Sequence, residues 1–324
     1  MTDNTRRSQY VRSLLDQADA DVLARLDAIG GFSLDAENLE AMRHQTLRSG
    51  APLSDAVERT DHLVSGSPGG SEVAVRVHRP RGAEGPLPCV YSMHGGGYVI
   101  GSQLGDDSLF DAWCPQLPCV GVSVGYRLAP ETPFPGPLED CYAGLRWVHE
   151  HADDLGVDSD RIGIIGGSAG GGLAASLALL VRDRGEIPVA FQILRYPMLD
   201  DRQITPSSQA DVPLWNPPTN RFSWTAYLGS RYASDDVPSY AAAGRATDLA
   251  GLPPTFIMVG NIDGLLDEDI DYAQRLLAAG IPTDLHVLEG APHAFDSMMP
   301  DTAVARRARQ TLDDWLRARL HPAA

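Results

Sequence analysis

Basic side chains are scarce in this sequence. Of 324 residues only 26 are Lys or Arg, against 43 Asp or Glu, and the formal net charge is -17. Such a chain is repelled by nucleic acid and by anionic membranes. Cysteines are few as well: Cys89, Cys114, Cys119 and Cys141 form no C-x-x-C pair and show no metal-ligand spacing. That excludes a disulfide-stapled scaffold and a zinc module, and leaves four reduced packing residues. Long apolar runs are missing, since even Leu173 to Val181 stops at Arg182, short of the roughly 20 residues a membrane helix needs. The N-terminus shows no apolar stretch ending in a small-residue cleavage site, so a cytoplasmic location is expected. Hydrophobic residues at 43% and charged residues at 21% are ordinary for a globular chain and argue against disorder.

What is present is a rhythm. Tyr10, Val11, Leu14, Leu15 and Ala18, then Val22, Leu23 and Leu26, recur at helical spacing and predict a helical N-terminal region over about residues 1–50. From Val73 the period becomes two, with Val75 and Val77 following, as in a half-buried strand. Further strands are predicted over 89–93, 120–124, 162–165, 189–194, 255–259 and 285–288. Helices are predicted over 138–149, 173–182, 267–279 and 302–320. Continuous apolar strands alternating with helices imply a mostly parallel sheet covered on both faces. The stretch from about 200 to 250 breaks the pattern, being rich in Pro, Ser, Asn and aromatics (Trp215, Phe222, Trp224, Tyr227, Tyr232, Tyr240), and is expected to be an insertion above the sheet. The whole chain, 1–324, reads as a single domain.

Chemistry concentrates in glycine-rich turns. Gly166-Gly167-Ser168-Ala169-Gly170 follows an apolar strand and precedes a helix, the context that G-x-S-x-G requires. Tiny neighbours let the chain turn sharply and expose the Ser168 hydroxyl as a nucleophile. The competing reading is a phosphate-cradling turn. It fails because no G-x-G-x-x-G frame runs through Gly163 to Gly172, the next strand ends at Arg195 instead of an acid, and no Gly-Lys-Ser/Thr follows. A second turn, His94-Gly95-Gly96-Gly97-Tyr98, also leaves a strand. Its uncovered amides suit the negative oxygen of acyl transfer, where one lost donor costs roughly 2.7–4 kcal/mol.

A serine nucleophile of this kind needs an acid and then a base later in the chain. Among nine histidines only His286, His293 and His321 lie late enough. His286 sits within a predicted strand and His321 near the end, whereas His293 follows a strand, where open sheets carry functional loops. For the acid, Asp263 lies nearest a strand end and is favoured. Asp267 and Glu268 compete, with a simpler role at the helix start.

Together His94–Gly97, Tyr126–Glu131, Gly166–Gly170, Leu252–Thr255, Asp263–Glu268 and Gly290–His293 resemble the hormone-sensitive-lipase-type branch of the α/β-hydrolases, which includes many bacterial carboxylesterases. A weaker likeness runs to heroin-esterase-like and aryl-esterase-like members. The resemblance implies an α/β-hydrolase fold: a mostly parallel eight-stranded sheet flanked by helices, with a helical cap from about 1–50 and about 200–250. It implies a catalytic triad of Ser168, Asp263 and His293, and an oxyanion hole of Gly96, Gly97 and Ala169, with His94 and Gly95 bracing the loop. Arg127 and Glu131 would serve in local ion pairs. Two residues depart from the family's habit: Gly167, where Asp or Thr is common, and Ala294, where Gly is common; both bear on the shape of the acyl pocket. The expected function is a serine carboxylester hydrolase acting on short-chain acyl or aryl esters through an acyl-enzyme, with no cofactor and no metal. Its partner would be a small-molecule ester, not nucleic acid or membrane, and a homodimer is left open. Amides or lactones are alternative substrates. A non-catalytic small-molecule receptor is the reading from another class, and loss of a triad member would mark it. Metal hydrolysis is disfavoured, since His149 and His151 are two apart on a helix and point to different faces.

Overall fold

The computed structural model describes residues 11–16, 18–46, 53–66 and 71–322; Tyr10 and the other expectations for residues 1–10 lie outside them. Eight strands, β1 (Val57–Val64), β2 (Val73–Pro80), β3 (Leu87–Met93), β4 (Val120–Gly125), β5 (Val157–Gly167), β6 (Phe191–Arg195), β7 (Thr255–Ile262) and β8 (Thr283–Pro292), form one sheet in the order β1-β2-β4-β3-β5-β6-β7-β8. The β1–β2 and β2–β4 pairs are antiparallel, and every other pair is parallel.

Among the described residues the helices of eight residues or more are α1 (Ala20–Ile29), α2 (Leu39–Thr46), α3 (Asp107–Gln116), α4 (Gly136–Glu150), α5 (Ala169–Arg184), α6 (Pro217–Leu228), α7 (Leu266–Ala278) and α8 (Ala303–Leu320). The central strands carry mostly apolar residues on both faces because both faces are covered. Cys89, Tyr91 and Met93 of β3 join the core under α4, α5 and α7, while Val90 joins the core under α3 and α8. The same alternation splits Leu194 from Phe191 and Ile193 on β6. All four cysteines are free and buried, and burial pushes the Cys89 and Cys141 thiols well up, away from the reactive thiolate.

Register decides where function can lie. Met93 is level with Gly166 across β3 and β5, so the turns that follow these strands leave the sheet side by side. Ile262 is level with Pro292 across β7 and β8, which sets Asp263 beside His293.

Several elements differ from expectation. β1 and α3 had no counterpart in the pattern reading, β6 starts at Phe191 instead of 189, and β8 runs on to Pro292. The 200–250 insertion is the β6–β7 crossover, and it contains α6, whose Asn216 side chain caps the Thr219 amide while Pro217 takes the first turn. The N-terminal segment is tied to it: the Leu34 amide donates to Thr219 Oγ1 at 3.3 Å, and Asn216 Nδ2 donates to Phe32 O at 3.4 Å. Arg43 on α2 reaches the other way, donating to Val99 O and Ala129 O and pairing with both oxygens of Glu131. That guanidinium holds the Glu131 carboxyl down at about 2. Arg127 pairs with the fully buried Asp140, so both residues of the Tyr126–Glu131 motif serve ion pairs, as the resemblance implied.

Candidate active site

Ser168 stands between the last residue of β5 and the first of α5 with φ 57 and ψ -121, a left-handed conformation that side chains avoid. The neighbours make it tolerable. A methyl group on Gly170 would run into the carbonyl oxygens of Met93 and His94, so this turn closes onto β3 only with glycine there. Ser168 is 6% exposed and His293 4% exposed, and the pair is sheltered from bulk water.

Three side chains form a hydrogen-bonded line. Ser168 Oγ lies 2.9 Å from His293 Nε2, and His293 Nδ1 lies 2.8 Å from Asp263 Oδ2. The second Asp263 oxygen accepts from the Leu265 amide at 3.0 Å, which fixes the carboxylate plane. His293 follows β8 directly, with the Tyr196 ring edge-on at 4.9 Å and the Trp215 ring at 5.1 Å. Tyr196 is itself held, since its hydroxyl donates to Asp296 Oδ1 at 2.5 Å, and Arg195 pairs with the other Asp296 oxygen at 2.9 Å.

The competing acids do other work. Asp267 and Glu268 sit in the first turn of α7, yet their side chains leave the helix. Asp267 Oδ2 accepts from the Ser207 amide, and Glu268 Oε1 accepts from the amides of Leu199 and Asp200. Burial pushes the Glu268 carboxyl well up. Neither side chain caps the helix, but both stand in its first turn as expected, and both in addition pin the β6–β7 crossover. Of the late histidines, His286 stays inside β8, stacked on Phe256, and His321 binds Leu117 O.

The glycine loop abuts the serine. A methyl group on Gly95 would come within 3.7 Å of Ser168 Cβ. The turn is closed by the amides of Val99 and Ile100 onto Gly96 O, with Gly96 at φ 115 and Gly97 at φ 59. Ala169 opens α5, where the first amides of a helix have no acceptor within it. His94 is stacked on Tyr126 at 4.0 Å with Nδ1 2.8 Å from Gly95 O, and Tyr126 Oη donates to His94 O. Burial lowers the His94 pKa, which keeps it neutral beneath the loop. Trp215, Ser223 and Tyr196 escaped the reading of the sequence as site residues; Trp215 and Ser223 arrive on the crossover, where aromatic enrichment was the one available signal. Among the described residues no group of three or more His, Cys, Asp or Glu side chains could hold a metal ion, and no helix is long and apolar enough to cross a membrane.

A family model described as the alpha/beta hydrolase fold matches residues 90–297. The chain belongs to that family. It is 35% identical over 288 residues to esterase LipI of Mycobacterium tuberculosis, covering 86% of this chain and 87% of that one. It is 38% identical over 231 residues to carboxylesterase NlhH of the same organism, covering 70% and 72%. Among solved structures, a bacterial heroin esterase superposes with a TM-score of 0.88 at 39% identity, over 95% of this chain and 99% of the other. The α/β-hydrolase fold and its mostly parallel eight-stranded sheet therefore stand as the sequence implied.

Proposed function

We propose that Ser168, His293 and Asp263 are the catalytic triad of a carboxylic ester hydrolase. The observation that carries the reading is the unbroken line from Ser168 Oγ through the imidazole to Asp263, at 2.9 and 2.8 Å. In this reading Ser168 Oγ attacks the acyl carbonyl and passes its proton to His293 Nε2. Asp263 holds the Nδ1–H tautomer and the imidazolium that follows. The oxygen that becomes negative is received by the amides of Gly96, Gly97 and Ala169. Collapse expels the alcohol, which takes the proton from His293, and water then repeats the sequence on the acyl-enzyme.

The N-terminal helices and residues 200–250 act as the cap. Support comes from the two hydrogen bonds that join Phe32 and Leu34 to Asn216 and Thr219, and from the Trp215 ring beside His293. A roof this near the nucleophile suits short acyl or aryl esters. The protein acts in the cytoplasm, in keeping with its unpaired cysteines. Hydrolysis of p-nitrophenyl acetate and butyrate without added metal, lost in Ser168→Ala, is the test. Equal turnover by that variant overturns the reading.

A further inference from the structure

Ser223 on α6 is fully buried, and its hydroxyl has no hydrogen-bond partner in the protein. A helical serine ordinarily satisfies that group on a carbonyl one turn back, and leaving it unmade carries a cost. The location is informative. A methyl group built on Gly97 would sit 2.5 Å from Ser223 Oγ and 3.0 Å from Trp215 Cη2, so the hydroxyl and the indole edge both bear directly on the glycine loop. The Trp215 Nε1–H is already committed to Asn220 Oδ1 at 3.1 Å. The indole thus presents hydrocarbon, and Ser223 Oγ is a buried polar atom without a partner at this wall.

The reaction geometry orients what lies there. The leaving oxygen of an ester must face His293 Nε2, and the carbonyl oxygen must face the loop amides. Trp215 bridges the two, with its ring 5.1 Å from that of His293 and its edge at Gly97. Ser223 lies at the Gly97 end of that indole, and an acyl chain leaving the carbonyl on the side away from the leaving oxygen would pass it.

We infer that Ser223 is a specificity-determining residue that hydrogen-bonds an oxygen on the acyl chain. The preferred substrates are esters of acids bearing a hydroxyl or keto oxygen one or two carbons beyond the carbonyl. This rests on the triad reading above. Ser223 Oγ can donate to a keto oxygen, or donate to and accept from a hydroxyl. A site with a buried hydrogen-bonding group discriminates against the isosteric hydrocarbon because its own group is then left unpaired.

The test compares p-nitrophenyl esters of equal shape: 3-hydroxybutyrate against 3-methylbutyrate, and 2-hydroxybutyrate against 2-methylbutyrate. In the wild type kcat/KM favours one hydroxylated ester over its partner by about tenfold or more, the scale of one unmade buried hydrogen bond. In Ser223→Ala that ratio falls towards one, and in Ser223→Thr, which keeps a hydroxyl, it is partly restored. Inhibition of the wild type by the free acids gives a second reading that needs no variant: the hydroxy acid binds more tightly than its methyl counterpart. A wild-type ratio near one for both pairs overturns the inference, as does a preference that survives in Ser223→Ala. An equal loss on all four esters also overturns it, by making Ser223 an oxyanion donor and not an acyl-recognition group. Failure of the triad reading looks different, because Ser168→Ala would then turn over all four esters as the wild type does.

Discussion

Ser207 and Asp267 exchange two hydrogen bonds: the Ser207 amide donates to Asp267 Oδ2 at 2.8 Å, and the Asp267 amide donates to Ser207 Oγ at 3.1 Å. Asp267 therefore holds the crossover, while Asp263 faces the imidazole. Asp263→Asn is expected to lose roughly 10⁴ in turnover, since an amide favours the wrong histidine tautomer, and to remain folded. Asp267→Asn is expected to cost about 1 kcal/mol of stability and keep most of the activity. Turnover and melting temperature of the two variants decide this, and the reverse pattern would make Asp267 the acid.

Ala294 stands at φ 54 and ψ 26, directly after His293, and accepts the Met298 amide. A side chain in that left-handed region costs about 1–2 kcal/mol, of which glycine's greater freedom in the unfolded chain takes back roughly half. Ala294→Gly should then stabilise the protein by up to about 1 kcal/mol, read from urea titration. A variant less stable than the wild type would mean that the methyl group contributes packing that outweighs the strain.

Asp269 on α7 is fully buried, and neither carboxylate oxygen has a partner in the protein. Burial, with the nearby charges of Glu268 and Asp263, pushes its carboxyl well up. The native chain thus keeps a proton that the unfolded chain releases above about pH 4. Stability contributed by that proton is complete below the unfolded value and declines as pH rises through the native one. Asp269→Asn cannot ionise, so its melting temperature should match the wild type near pH 4 and exceed it increasingly towards pH 8. Parallel curves for the two proteins would show that Asp269 does not titrate in this way.

The pattern of the sequence foretold the strands that are buried on both faces, because their apolar runs are continuous. It passed over β1 because that strand has no apolar face. Val57 and Val64 are buried, but Glu58 and Asp61 point to water and Leu63 is 68% exposed. α6 was hidden by its start at two prolines within a stretch that reads as loop. Ser168, Asp263 and His293 were legible because glycine-rich turns and chain order mark them locally, and strand register then brings them together. Trp215 and Ser223 were not. No local period points from α6 to Gly97, and the contact exists only because the crossover folds back over the loop.

That division follows the path of the chain. The serine leaves β5, and the acid and histidine leave β7 and β8, whereas Trp215 and Ser223 arrive between β6 and β7. On the proposed reading, the groups that break the bond and those that meet the acyl chain are thus encoded on separate stretches. If so, drift or exchange within residues 200–250 would retune which acids are accepted without disturbing the ladders that align Ser168, Asp263 and His293. A lineage built this way can change its diet one crossover at a time, and a chimaera carrying another family member's crossover should inherit the donor's substrate preference along with it.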